Sequence, residues 1–277
     1  MSAKNVESIE NGKGTALITG ASTGIGATYA GRLARRGHDL ILVARNDAKL
    51  GKVAKDVKSS FPVRVRTVVA DLTIPSDLAG IESLLRDDPT ITALVNNAGS
   101  ATLGPLAGAD VERLDREIRL NILAPTRLAR AALPGLLARD RGAIINIASV
   151  MSQMVQPGNS VYGGTKAYLL HFSQVLALEA ASSAVRIQAV LPGATRTDLW
   201  SGSGVELNTL PPEIVMEVED MVDAALAGFD QGETVTVPSL PDPSDWKNLI
   251  QARDALRPNL SRRHPAPRYN IAESATA

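Results

Sequence analysis

Tyr162 and Lys166 stand four residues apart in the run Tyr162-Gly163-Gly164-Thr165-Lys166, which opens a helix-like stretch. That spacing puts a phenol and an ammonium on one helical face. A free phenol titrates near 10 and exchanges protons sluggishly at neutral pH, while a nearby cation favours the phenolate. The lysine is therefore expected to lower the tyrosine pKa for acid–base work. A second run, Thr19-Gly20-Ala21-Ser22-Thr23-Gly24-Ile25-Gly26, follows an apolar segment and leads into an amphipathic helix. A strand feeding a glycine-rich turn into a helix N-terminus gathers backbone N–H groups and the positive end of the helix dipole, a place suited to a pyrophosphate. Glycine is needed because a Cβ would hold the backbone off the phosphates or obstruct the turn. Dinucleotide sites often hold an acidic residue about 20 residues further on, for the ribose hydroxyl. Ala44 and Arg45 stand there instead. A guanidinium pairs with a 2′-phosphate where a carboxylate would repel it, which favours NADP over NAD. The alternative leaves Arg45 as a surface residue and lets Asp47, at a helix start, reach the ribose.

Further elements follow in order: Asn96-Asn97-Ala98-Gly99, Asn121, Ser149, and Pro192-Gly193 with Thr195 and Thr197. In this combination the chain resembles the short-chain dehydrogenase/reductase family over about residues 14–237. The resemblance implies that Tyr162 exchanges a proton with the substrate oxygen and that Ser149 hydrogen-bonds that oxygen. Lys166 would hold the nicotinamide ribose and lower the Tyr162 pKa, and Asn121 matches the fourth catalytic member. The cofactor would be bound by Gly20, Ser22, Thr23, Gly24, Ile25 and Gly26, by Arg45, by Asp71 on the adenine amine with Leu72 beside it, and by Asn97, Ala98 and Gly99 along the cleft. Tyr162, Lys166, Pro192, Gly193, Thr195 and Thr197 would complete its site at the nicotinamide. The implied activity is NADP(H)-dependent hydride transfer between the nicotinamide and a carbonyl or secondary alcohol, running toward reduction. The rival is a catalytically idle NADP-binding sensor, against which the presence of the proton donor argues. In the family the asparagine's main-chain carbonyl holds a water of a proton relay ending at the lysine. Pro125, four residues after Asn121, has no N–H to give that carbonyl, so it is expected to open the helix and free the carbonyl for the water.

The elements that must position these groups are read from periodicity. Short apolar runs at Thr15–Thr19, Asp39–Val43, Arg64–Val69, Ala93–Val95, Ala143–Ala148, Arg186–Leu191 and Thr234–Val237 predict seven strands. Helical stretches are predicted near Ile25–Arg36, Asp47–Ser59, Ser76–Arg86, Val111–Arg139, Val161–Ala181 and Ile214–Phe229, with a short one at Ser244–Leu256. Such alternation is that of βαβ units, so the fold class is α/β: a Rossmann-type, doubly wound, seven-stranded parallel sheet in a three-layer sandwich. The predicted organisation is a flexible segment at 1–13, one oxidoreductase domain at 14–257 and a Pro- and Arg-rich tail at 258–277.

Between the sixth strand and the last long helix, Ala194–Met216 carries glycines and two adjacent prolines and is expected to act as a lid. Trp200 and Leu207 there, with Met151, Gln153 and Met154 past Ser149, are the candidate substrate contacts, and their mainly apolar character suits a hydrophobic carbonyl compound. The Tyr162 helix carries Leu169, Leu170, Phe172, Val175, Leu176 and Leu178 on more than one side, which predicts a second covered surface. A homodimer is expected through it and the helix of Asn121; a homotetramer is in doubt because the exit from the last strand, Val237 to Pro243, lacks the family's glycine-rich character.

Lys plus Arg and Asp plus Glu both number 29, so no net charge draws the chain to nucleic acid or an anionic membrane. Three scattered histidines and no cysteine leave no metal motif or disulfide framework, and fit a reducing, cytoplasmic setting. His171 and the lysines 49, 52, 55 and 58 are read as structural and solvated residues.

Overall fold

The structure, a computed structural model, describes residues 13–271; the outer parts of both expected terminal segments, 1–12 and 272–277, lie outside the described residues. The chain divides into two units, one ending at Pro238 and one beginning at Ser239.

The first unit holds a parallel sheet of β1 (Thr15–Thr19), β2 (Asp39–Ala44), β3 (Val65–Val69), β4 (Ile91–Asn96), β5 (Gly142–Ile147), β6 (Val185–Val190) and β7 (Val235–Thr236). Its order is β3-β2-β1-β4-β5-β6-β7. Every residue of β1 is buried, as a strand covered on both faces requires. Successive side chains point to opposite faces, and the two hydrophobic cores divide accordingly. Ile18, Leu40, Leu42 and Val95 join one core, and Leu17, Ile41, Val43 and Leu94 the other. The first core is closed by α1 (Gly24–Arg35), α2 (Asp47–Ser60) and α7 (Val218–Asp230). The second is closed by α3 (Pro75–Asp87), α5 (Ala124–Ala138) and α6 (Ser160–Glu179). Since β2 and β4 flank β1 and the chain winds outward from there in both directions, a crevice opens at the carboxyl ends of β1 and β4.

Two predicted helices differ from the expectation. The stretch from Val111 is not one helix: α4 (Val111–Ile118) passes through a π-helical turn at Arg119–Leu123 into α5. The widened turn closes with the Ala124 N–H on the Arg119 carbonyl, one residue further than an α-helix allows, just ahead of Pro125. The helix predicted from Ile214 begins at Val218. Met216 bridges Thr195 in extended conformation, donating to the Ala194 carbonyl and accepting from Arg196 N–H, which holds the chain out of helical geometry.

The second unit carries α8 (Pro243–Asp254), capped by Asp242, whose side chain accepts from Ser244 N–H. Two 3-10 turns, Arg257–Asn259 and Pro267–Tyr269, follow it.

Candidate active site

At the first turn Gly20 takes a φ of +65° and Gly24 one of +53°, conformations that disfavour side-chain-bearing residues. A Cβ on Gly26 would lie 2.4 Å from the Gly20 carbonyl oxygen, so the turn packs against its own helix with no room for a methyl group. Thr23 precedes α1 in extended conformation without capping it, and the first turn of α1 has no acidic residue. The leading N–H groups are thus left facing the crevice. Asn97 secures this turn to the loop after β4: its Nδ2 donates to the Thr19 and Gly20 carbonyls at 2.9 and 3.1 Å. The Asn97 and Ala98 N–H groups both donate to Thr19 Oγ1, at 3.0 Å. The sequence reading held Thr19 as the first residue of the turn motif but assigned it no role; in the structure its hydroxyl anchors the loop after β4.

Arg45 sits at the end of β2, largely exposed, with its guanidinium 3.6 Å from the Asp71 carboxylate. Burial raises the Asp71 pKa, but two Thr73 hydrogen bonds and Arg45 outweigh it and hold the carboxyl below its ordinary value. Asn46, not Asp47, caps α2 by accepting from Lys49 N–H. The side chains of Leu72 and Ile25 pack with the two cores, so what they offer the crevice is backbone.

The four candidate catalytic residues are all buried and brought to one place. Ser149 lies two residues past the end of β5, its Oγ accepting from Met151 N–H at 3.1 Å and donating to the Pro192 carbonyl at 3.4 Å, and it is near enough to Tyr162 to pull the pKa of that phenol down. Lys166 Nζ donates to the Ile147 carbonyl at 2.8 Å and lies 5.7 Å from the centre of the Tyr162 ring. Asn121 stitches the site together with its side chain: Oδ1 accepts from Ser100 N–H, and Nδ2 donates to the Ser100 carbonyl and to Thr165 Oγ1. Thr165, inside the Tyr-Lys run, in turn donates to the Tyr162 carbonyl at 2.8 Å. Gly99 is close enough that a Cβ there would lie 3.2 Å from Asn121 Oδ1 and 3.5 Å from Lys166 Nζ.

The electrostatics depart from the expectation that Lys166 lowers the phenol. Burial pushes Tyr162 up to about 12, the Ser149 hydrogen bond pulling the other way and the Glu117 charge adding to the rise. Burial also brings Lys166 down to about 8, against the pull of Glu117. Both groups are driven toward their neutral forms because removing them from water penalises charge. The sequence pattern reports which groups meet, and cannot report how thoroughly they are desolvated.

Beyond β6, the Pro192 carbonyl accepts from Val150 N–H, and Thr195 Oγ1 donates to the Gly193 carbonyl. Thr197 approaches the first turn, its Cγ2 standing 3.1 Å from where a Gly24 Cβ would be. The segment Ala194–Met216, expected to be a lid, is tethered on both sides. Lys49 of α2 pairs with Asp198 at 3.1 Å, Leu103 N–H donates to the Ser203 carbonyl, and Arg113 of α4 donates to the Gly202 carbonyl. Trp200 holds the lid with a 2.8 Å bond from its indole N–H to the Thr195 carbonyl. Met151 and Leu207 are half-buried, whereas Gln153 and Met154 are exposed at the rim. Asn159, unnoticed in the sequence, is buried and donates to the Met151 and Met154 carbonyls, fixing that rim.

A family model described as short chain dehydrogenase matches residues 14–206. The very-long-chain 3-oxoacyl-CoA reductase of Macaca fascicularis is 36% identical over 195 residues, 66% of this chain; the match spans 60% of that reductase's length. Among solved structures, a short-chain dehydrogenase from Sphingobium yanoikuyae in complex with NADPH is 48% identical, with a TM-score of 0.89 over 92% of this chain and 99% of that one. A bulky-bulky ketone specific alcohol dehydrogenase from Comamonas testosteroni is 44% identical, with a TM-score of 0.85 over 92% of this chain and 98% of its own. With the seven-stranded sheet and the crevice residues in place, these matches establish that the chain belongs to the short-chain dehydrogenase/reductase family of oxidoreductases.

Proposed function

We propose that the protein is an NADP(H)-dependent carbonyl reductase in which Tyr162 is the proton donor. The observation that carries this reading is the convergence of four buried side chains at the crevice: Lys166 Nζ lies 5.7 Å from the Tyr162 ring centre, Ser149 stands past β5, and Asn121 is tied through Thr165 to the start of α6. A phenol there is protonated at neutral pH, the form that reduction of a carbonyl consumes. Ser149 would hydrogen-bond the substrate oxygen from the opposite side, and Lys166 would orient the nicotinamide ribose.

The crevice suits the dinucleotide. The close packing of Gly20 and Gly26 holds the turn tight against α1, whose uncapped N-terminus would meet a pyrophosphate, and Arg45, largely exposed beside Asp71, would turn its guanidinium to a 2′-phosphate. When bound, the reduced nicotinamide supplies a hydride. NADP is the cofactor in this reading, in line with the NADPH complex of the Sphingobium dehydrogenase. The Asn121 carbonyl, in the widened turn ahead of Pro125, is read as holding a relay water. The substrate class is a ketone bulky on both sides, as in the name of the Comamonas enzyme, received by Met151 and the lid residues Trp200 and Leu207.

The test is NADPH oxidation with valerophenone, acetophenone, a 3-oxoacyl thioester and no substrate. Turnover is expected, fastest with valerophenone, and Tyr162→Phe should lose about 100- to 10,000-fold in kcat while binding NADPH as before. A Tyr162→Phe protein with undiminished turnover would remove the phenol from the mechanism, and NADPH binding without turnover of any carbonyl would favour an idle sensor.

A further inference from the structure

The segment 194–216 leaves β6 and is pinched at its base, where Met216 N–H donates to the Ala194 carbonyl at 2.9 Å and Arg196 N–H to the Met216 carbonyl at 3.0 Å. Arg196 adds an ion pair to Glu217 at 2.8 Å. Its tip rests on the loop after β4. Because β5 runs between β4 and β6, the segment crosses the carboxyl end of β5, past which Ser149 stands. At the tip two successive carbonyls are held: Gly202 accepts from the Arg113 guanidinium, and Ser203 from Leu103 N–H at 2.7 Å. The backbone can present both because Gly202 and Gly204 take φ values of +85° and +98°, open to glycine and strained for other residues. A Cβ on Gly204 would lie 2.6 Å from the Leu103 carbonyl oxygen, so the run is seated directly on the loop. Ser203 is buried between two exposed glycines, and its hydroxyl is occupied within the run, accepting from Val205 N–H and donating to the Val205 carbonyl. Arg113 is exposed, near the start of α4, a helix that carries none of the candidate site residues.

We propose that Gly202-Ser203-Gly204 is the clasp of a strap over the substrate, and that Arg113 is the positioning residue that keeps it shut, which makes α4 a determinant of how tightly a ketone is retained. The inference deepens the proposed function and rests on its reading of the substrate. A guanidinium on a carbonyl makes a charge-assisted bond, stronger than a neutral one. At an exposed position it nevertheless opens without leaving a buried group unpaired. The base of the strap, with two backbone bonds and an ion pair, is the hinge. The segment is thus fastened firmly at the end that stays in place and lightly at the end that must let product out. Trp200, two residues before Gly202 and bonded to the Thr195 carbonyl, ties the candidate substrate contact to the same strap. Arg113 acts through the strap backbone, not on the reacting atoms, so its loss should weaken retention of substrate and spare the chemical step.

The first arm of the test needs no substrate. In hydrogen–deuterium exchange of the full chain, the Leu103 amide should exchange about tenfold faster in Arg113→Met than in wild type, the factor by which losing one charge-assisted bond shifts an opening equilibrium. Arg116→Met, on the same helix, should exchange as wild type does. In the second arm, at saturating NADPH, Arg113→Met should raise KM for valerophenone about 5- to 10-fold and keep kcat within about twofold of wild type. Acetophenone, the smaller ketone, should be less affected. Arg113→Lys keeps a cation at the position and should recover part of the loss. Gly204→Ala unseats the run by another route and should move both exchange and KM in the same direction. Wild-type exchange and KM in Arg113→Met overturn the inference. So does a fall in kcat at unchanged KM, which would mean that Arg113 serves only the helix leading to Asn121. If wild type turns over no carbonyl, the proposed function fails, and the exchange arm still decides whether Arg113 holds the clasp.

Discussion

Lys166 is held in the fold with its charged form made less favourable than in water. Its pKa is about 8 in the native protein against an ordinary 10.5, so between those values the unfolded chain binds a proton that the folded one has released. Stability contributed by this site must therefore rise with pH across that window. Tyr162 has the opposite sign and acts only above pH 10, where the native phenol keeps a proton that the unfolded chain has lost. Denaturant unfolding from pH 8 to 10 should show wild type gaining stability relative to Lys166→Met; parallel curves would mean that Lys166 is not desolvated as described. Arg45 makes a separate claim. If its guanidinium reads the 2′-phosphate, Arg45→Ala should weaken NADPH binding about 10- to 100-fold and leave NADH nearly untouched, the range expected for losing a charge-assisted hydrogen bond. Equal losses for both cofactors in a fluorescence titration would return Arg45 to the surface.

At the scale of elements, the site depends on close approaches between the first turn, the loop after β4 and the start of α6. Gly26 marks the tightest of these, its missing Cβ lying 2.4 Å from the Gly20 carbonyl oxygen and 2.5 Å from Asn97 Nδ2. Gly26→Ala should lower Tm, by an overpacking cost of about 1–3 kcal/mol, and abolish measurable NADPH binding. Gly31→Ala, on the same helix with open space where its Cβ would go, should leave NADPH binding intact and be neutral or stabilising by up to about 1 kcal/mol. Equal behaviour of the two variants in thermal melts and NADPH titrations would count against the tight turn. Most elements were legible because their period is local: β1 and α2 follow directly from an apolar run and from a stretch with one apolar face, while the Asn46 cap emerged only in the structure. The π-helical turn was legible only as a disturbance. Pro125 announces that a backbone bond must be missing, but whether the helix kinks, ends or widens depends on what packs around Arg119–Leu123.

At the scale of the whole molecule, α6 presents two apolar sides. Leu169, Leu170 and Leu176 are buried, while Val175 is 38% and Leu178 76% exposed, and Leu137 on α5 is also left open. An apolar strip on neighbouring helices is what a second copy of the chain would cover. The native protein should scatter light as a dimer at micromolar concentration, and the double variant Val175→Glu with Leu178→Glu should shift it toward monomer. A monomeric mass for the native protein contradicts the dimer.

Residue order alone sufficed for the sheet, the glycine turn and the pairing of Tyr162 with Lys166, because alternation, tight turns and helical spacing are local consequences of residue type; Ser149 and Asn121 joined them through the family resemblance. The charge of that cluster and the presence of Glu117 near it were set by the folded arrangement. On α4 the sequence Val-Glu-Arg-Leu-Asp-Arg-Glu-Ile reads as a solvated helix, and no period distinguishes Glu117 from Glu112 or Asp115. Desolvation is set by what the loop after β4 and helix α6 bring over a residue from far along the chain, and that closure exists only once the sheet has formed.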